Sequence, residues 1–103
     1  MLPKLVRNFI PEIISENQKI PSFYQASDEE YWKRLKSKLI EEVNEFIDSE
    51  NNINEIADIL EVIEAIISFK KMSLDEIIDI KNKKAEAHGT FSEKIILASI
   101  KEP

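Results

Sequence analysis

Cysteine is absent from this chain of 103 residues, and glycine and histidine occur once each, as Gly89 and His88. The lack of cysteine excludes a disulfide framework and fits a reducing compartment. With one glycine and four prolines, tight turns are few and helices should dominate. The longest run free of strongly polar residues, Ile95 to Ile100, is too short to cross a bilayer, and Lys4 and Arg7 interrupt the apolar N-terminus. We therefore expect a soluble cytoplasmic protein without a membrane partner.

Basic residues are fewer than acidic ones, 14 against 20, which gives a formal net charge of −6. Affinity for a nucleic-acid polymer comes from lysine and arginine neutralising phosphates, so such a partner is disfavoured. A small phosphorylated ligand remains compatible with an acidic protein, because a bound divalent cation can bridge carboxylate and phosphate oxygens. The charge balance therefore favours a small-molecule ligand.

The length of the chain predicts a single helical domain spanning residues 1–103. A domain of this size buries only about two-thirds of the surface that its unfolded chain exposes. Because such a small core gives little stability by itself, we expect a homo-oligomer, either a homodimer or a homotetramer.

Apolar residues at helical spacing predict a short helix within residues 6–16 and two long helices. The first long helix follows a capping box formed by Ser27 and Glu30 and ends near Asp48, and the second covers residues 53–70. Residues 17–26 lack this periodicity and read as a loop.

Another capping box, Ser73 with Glu76, predicts a further helix that starts at Leu74, and Gly89 is suited to terminate it. Residues 91–100 could form either a short helix or an extended arm. The sequence thus predicts an all-α antiparallel bundle of about four helices.

Two acidic clusters lie on the consecutive long helices. Residues three or four apart share a helix face, so each cluster presents its carboxylates together. If the chain reverses near Asn51 and Asn52, neighbouring residues across the two helices have numbers that sum to roughly 103 at about 1.5 Å rise per residue. The two faces then oppose each other, with Glu45 near Asp58 and Glu42 near Glu61. The set comprises Glu41, Glu42, Glu45, Glu55, Asp58 and Glu61.

Carboxylates gathered in this way repel one another, by on the order of 4 kcal/mol for two charges about 4 Å apart at an effective dielectric near 20. A cation would remove that penalty. The donors are all hard oxygens, which suit Mg²⁺, Mn²⁺ or Ca²⁺ better than Zn²⁺. The pattern therefore predicts a divalent metal site, for which Mg²⁺ is favoured and Mn²⁺ is a substitute.

These motifs resemble the MazG-like all-α nucleoside triphosphate pyrophosphohydrolase superfamily, in particular its small phosphoribosyl-ATP pyrophosphohydrolase-like members. Such enzymes use Mg²⁺ to cleave a nucleotide between the α and β phosphates, giving the monophosphate and pyrophosphate. The resemblance implies the same activity here. It extends over nearly the whole chain and is carried by Lys4-Leu5-Val6-Arg7, Ile10-Pro11-Glu12-Ile13-Ile14, Leu39 to Phe46, Asn54 to Val62, and Lys81 to Phe91.

Site residues follow from the resemblance position by position. It implies that the metal ligands are Glu42, Glu45, Glu55 and Asp58. Glu41 or Glu61 would support these ligands or position water. Phosphate oxygens would be neutralised by Lys81, Lys84 and Arg7. Apart from the resemblance, a carboxylate can take the proton of the attacking water, and Glu41 or Glu42 is the candidate base.

Two other interpretations stay open. A non-catalytic module of the same fold could bind nucleotide, metal or a protein partner, since Arg7-Asn8-Phe9 and His88-Gly89-Thr90-Phe91 stand where the family has Arg-Asp-Lys and Arg-Gly-Gly-Phe. A purely structural bundle would carry the acidic clusters as solvated faces, which is the commoner role of helical glutamates. Its lysines near a helix end would then complement only the helix dipole.

Overall fold

The apolar periodicity of the sequence is realised as four helices. The computed structural model describes residues 2–50 and 52–103, and within these ranges it contains no strand. This confirms the predicted all-α class. The helices are α1 (Ile10–Glu16), α2 (Asp28–Asp48), α3 (Ile53–Phe69) and α4 (Leu74–His88). The chain divides into two compact units, Met1–Lys71 with α1 to α3 and Met72–Pro103 with α4.

Helices α2 and α3 pack against each other and form the centre of the first unit. Only four residues separate them, so the two helices run antiparallel. Of the two asparagines at the predicted reversal, Asn51 lies outside the described residues, while the Asn52 side chain caps α3 by accepting a hydrogen bond from the Asn54 amide at 2.9 Å. The hairpin brings the two acidic clusters onto neighbouring helices, as predicted.

The core between α2 and α3 is small. Its buried apolar side chains among the described residues are Leu35, Val62 and Ile67. Trp32 of α2 stacks on Phe69 of α3, with ring centroids 5.1 Å apart, and closes one end of the hairpin. These contacts fix the helices side by side and so set which carboxylates meet.

Serine side chains cap the starts of α2 and α4. Ser73 and Glu76 form the predicted reciprocal capping box, in which each side chain bonds the other residue's backbone amide. At α2, Ser27 accepts from the Glu30 amide at 3.2 Å, but the Glu30 carboxylate accepts from the Tyr24 hydroxyl instead of returning to Ser27. The capping box predicted for Ser27 and Glu30 therefore has only one of its two hydrogen bonds.

The second unit consists of α4 and the segment that follows it. Gly89 ends α4 with φ of 86°, a conformation that glycine adopts without steric cost, which confirms its predicted role. Residues 90–103 contain no helix, which rules out the helical alternative for the tail.

None of the helices in the described part of the chain is both long and apolar enough to cross a membrane.

Candidate metal centre

Glu42, Glu45 and Glu55 converge between α2 and α3. One carboxylate oxygen from each lies within 4.8 Å of the other two. Glu42 and Glu45 share a face of α2 because they are three residues apart, and the antiparallel packing brings the first turn of α3 against them. Three of the four predicted metal ligands are thus placed together.

Burial distinguishes the three carboxylates. Glu42 is only 7% exposed, Glu55 is half-buried and Glu45 is exposed. The Oε2 atoms of Glu42 and Glu55 are buried and have no hydrogen-bond donor among the described residues. A buried carboxylate oxygen without a donor is costly, so these atoms are suited to bind a cation.

The pKa of Glu42 is raised above the ordinary glutamate value. Burial is the largest cause, and the negative charge of Glu45 adds to it. The Lys38 ammonium lies 3.4 Å from Glu42 Oε1 and works in the opposite direction, but it does not overcome the other two effects. Without a bound cation, the surroundings of Glu42 therefore disfavour its ionised form.

Glu41 has a different environment, although it is the next residue in the chain. Its Oε1 accepts from Lys4 Nζ at 3.0 Å and its Oε2 from Lys38 Nζ at 3.1 Å. Burial raises the pKa of Glu41, but the two lysines outweigh it and hold the pKa below the ordinary value. Of the two candidate bases, Glu42 is the one whose environment favours taking up a proton.

Asp58, the fourth predicted ligand, is paired with an arginine. Its Oδ1 accepts from the Arg7 guanidinium at 2.8 Å, and the same guanidinium lies 3.7 Å from Glu61. The predicted register set Glu45 beside Asp58 and Glu42 beside Glu61, and the carboxylate group that forms contains Glu55. Asp58 and Glu61 both contact Arg7 of the N-terminal segment, and ligation of a metal by Asp58 stays a prediction.

A cavity of about 430 Å³ adjoins the carboxylates. This volume lies in the range of small-molecule sites. Glu42 belongs both to the cavity wall and to the carboxylate group. The wall also contains both Arg7 and Lys38. Its remaining residues are Leu5, Val6, Asn8, Phe9, Tyr31, Leu35, Asp58, Glu61, Val62 and Ala65.

The donor set fits a hard divalent cation. It offers only carboxylate oxygens, and the buried Oε2 atoms of Glu42 and Glu55 lack a donor within residues 2–50 and 52–103. Neighbouring oxygens around one Mg²⁺ are about 3 Å apart, so side chains whose oxygens lie within 4.8 Å would have to draw in around the ion. Glu42, Glu45 and Glu55 are therefore the residues that would hold the ion.

The two predicted phosphate-binding lysines, Lys81 and Lys84, are exposed on α4 in the second unit. Their predicted role stays a prediction. The sequence interpretation missed Lys38, which its spacing of three and four residues from Glu41 and Glu42 could have revealed. It also missed the pairing of Lys4 with Glu41, for which residues 37 positions apart give no local signal.

The raised pKa of Glu42 predicts how stability varies with pH in the metal-free protein. A folded-state pKa above the unfolded one means that the folded protein binds more protons, so the free energy of unfolding falls as pH rises from 4.5 through the raised pKa. The lowered pKa of Glu41 acts below 4.5 and with the opposite sign. Urea unfolding at a series of pH values, with a metal chelator present, should therefore show this decline in the free energy of unfolding.

The decline should be weaker in Glu42→Gln and unchanged in Glu64→Gln, which alters an exposed glutamate on α3. Equal slopes in the wild type and in Glu42→Gln would contradict the assignment.

Comparison with known proteins identifies one partial relative. The chain is 46% identical over 44 residues to an uncharacterized protein of Mycolicibacterium smegmatis (strain ATCC 700084 / mc(2)155). The match covers 43% of this chain and 45% of that protein, so it spans less than half of either. No model of a protein family matches the chain, and no solved structure does. The resemblance to the pyrophosphohydrolases therefore stays a prediction.

Proposed function

We propose that the protein is a Mg²⁺-dependent nucleotide pyrophosphohydrolase that cleaves between the α and β phosphates. The observation that carries the proposal is the convergence of Glu42, Glu45 and Glu55 beside a cavity of small-molecule size. The buried Oε2 atoms of Glu42 and Glu55, which have no donor in the described part of the chain, support a cation at that point. Cleavage of a phosphate anhydride requires positive charge near the phosphate oxygens. The cation, together with Arg7 and Lys38 in the cavity wall, would supply it.

Each side chain has a distinct part in this proposal. Mg²⁺, when bound, would neutralise phosphate oxygens and make water more acidic. Glu42, Glu45 and Glu55 hold the ion. Lys38 keeps Glu42 oriented through its contact at 3.4 Å, while Arg7 offers a planar set of donors to phosphate oxygens.

A pyrophosphate-release screen tests the activity. The substrates are ordinary and damaged nucleoside triphosphates and phosphoribosyl-ATP, each with Mg²⁺, with Mn²⁺ and with a chelator. We expect pyrophosphate and a monophosphate from at least one substrate, only when a divalent cation is present. Cation binding without turnover on any of them would instead favour a non-catalytic metal-binding module.

We also propose that copies of the chain associate as a homodimer or homotetramer. Helix α2 has an exposed apolar stripe of Ile40, Val43 and Ile47, and α3 has another that contains Ile53 and Leu60. Exposed apolar surface of this kind is typical of protein interfaces. Sedimentation equilibrium should give a mass of two or four chains, and a monomer at all concentrations would contradict this.

A further inference from the structure

The N-terminal segment of residues 3–9 is tied to the helix hairpin by charged contacts from both of its cations. Lys4 bonds Glu41 of α2 at 3.0 Å, and Arg7 bonds Asp58 of α3 at 2.8 Å. Arg34 adds a hydrogen bond to the Pro3 carbonyl at 3.3 Å. The segment is therefore attached at several points along one side of the hairpin, and it supplies part of the cavity wall.

Arg7 is the cation that lies beside Asp58 in this structure. Its guanidinium carries a permanent positive charge, because arginine does not lose its proton in proteins. At 2.8 Å from Asp58 Oδ1 and 3.7 Å from Glu61 Oε1, it neutralises the two carboxylates that lie outside the Glu42 group. In this state Asp58 is held by an internal cation.

The ion pair between Arg7 and Asp58 can also be replaced by a contact with another partner. The Arg7 side chain is 55% exposed and that of Asp58 is 39% exposed, so water screens their attraction. An exposed ion pair of this kind contributes little free energy and can be displaced by a better partner. Arg7 lines the cavity, where a phosphate group would offer such a partner.

We propose that Arg7 exchanges between Asp58 and a phosphate of the bound ligand, so that arrival of the phosphate releases Asp58 to join Glu42, Glu45 and Glu55 around the cation. This rests on the proposed function, because it assumes the same cation site and a phosphorylated ligand. Metal binding and phosphate binding are then coupled through one side chain. Reciprocity then requires that metal and phosphate strengthen each other's binding by the same factor. Because Arg7 competes with the metal for Asp58 and binds the phosphate, removing it should strengthen the metal site and weaken the phosphate site.

The test measures Mn²⁺ binding by calorimetry, without any phosphate, for wild type, Arg7→Gln, Asp58→Asn and the double variant. Because an exposed ion pair is weak, we expect Arg7→Gln to bind Mn²⁺ about fivefold more tightly than wild type. The gain should vanish when Asp58 is also replaced. Lys33→Gln is the matched control, since it removes the same charge from an exposed pair with Glu29 on α2 and should leave the affinity unchanged.

A second titration adds inorganic pyrophosphate at saturating Mn²⁺. Charge-assisted hydrogen bonds from arginine are strong, so Arg7→Gln should bind pyrophosphate about tenfold more weakly. Equal or weaker Mn²⁺ binding by Arg7→Gln, in a protein whose wild type binds the ion, would overturn the exchange and leave the metal site standing. Failure of the wild type to bind Mn²⁺ at all would overturn the site itself.

Discussion

Replacing Glu42 with glutamine is expected to stabilise the metal-free protein and to abolish the rise in melting temperature that Mg²⁺ produces. The carboxylate is nearly buried, its Oε2 has no donor among the described residues, and its pKa is raised by burial and by Glu45. Glutamine removes the charge and keeps the shape. Lys38 would retain its bond to Glu41 at 3.1 Å, so no buried ammonium is left without a partner.

The expected size follows from simple electrostatics. Two carboxylate charges within 4.8 Å repel by about 3 kcal/mol at an effective dielectric near 20, and by less where the exposed Glu45 faces water. A gain of about 1 kcal/mol raises the melting temperature of a small domain by about 4–8 °C. Mg²⁺ at about 100 times its dissociation constant stabilises the wild type by about 2.7 kcal/mol.

Thermal melts with a chelator and with Mg²⁺ measure both effects. Wild type should melt at a higher temperature with Mg²⁺, while Glu42→Gln should melt at one elevated temperature in both conditions. Glu64→Gln, the same substitution at an exposed site on α3, should follow the wild type. A Mg²⁺ shift that survives in Glu42→Gln would exclude Glu42 as a ligand.

Loss of turnover is the second large effect that we expect. Glu55→Gln should lower Mg²⁺-dependent pyrophosphate release by at least about 100-fold, the usual cost of removing one preorganised group that stabilises transition-state charge. Glu55 is the one member of the carboxylate group that comes from α3. Without it, the ion would lose its ligand from the first turn of α3.

Asp58→Asn and Glu45→Gln should give losses of the same order. In all three variants the fold should survive, because none of these side chains belongs to the apolar core. Circular dichroism checks that the helices are intact, and Glu64→Gln should keep wild-type turnover. Full activity in both Glu45→Gln and Asp58→Asn would defeat the ligand assignment.

The helices were predictable because their signals are local. Apolar spacing placed α2 and α3 almost to the residue, and the Ser73–Glu76 capping box marked the start of α4. The meeting of two acidic helix faces also followed from the sequence, since a connection of four residues leaves antiparallel packing as the compact solution.

The partners of individual carboxylates were not predictable. Helical spacing placed the six carboxylates on facing sides of the hairpin, but it did not show that Glu55 joins Glu42 and Glu45 while Asp58 pairs with Arg7. Lys4 and Arg7 reach Glu41 and Asp58 from 37 and 51 positions away, and no local pattern encodes such contacts. The charge that surrounds each acid depends on the tertiary path of the N-terminal segment.

The central claim is that Glu42, Glu45 and Glu55 together hold one hard divalent cation. X-ray diffraction from crystals grown with Mn²⁺, recorded at a wavelength where manganese scatters anomalously, tests it most directly. The account predicts an anomalous peak between the two helices, about 2.1 Å from an oxygen of each of these glutamates. Well-ordered carboxylates with no peak between them, in crystals saturated with Mn²⁺, would contradict it.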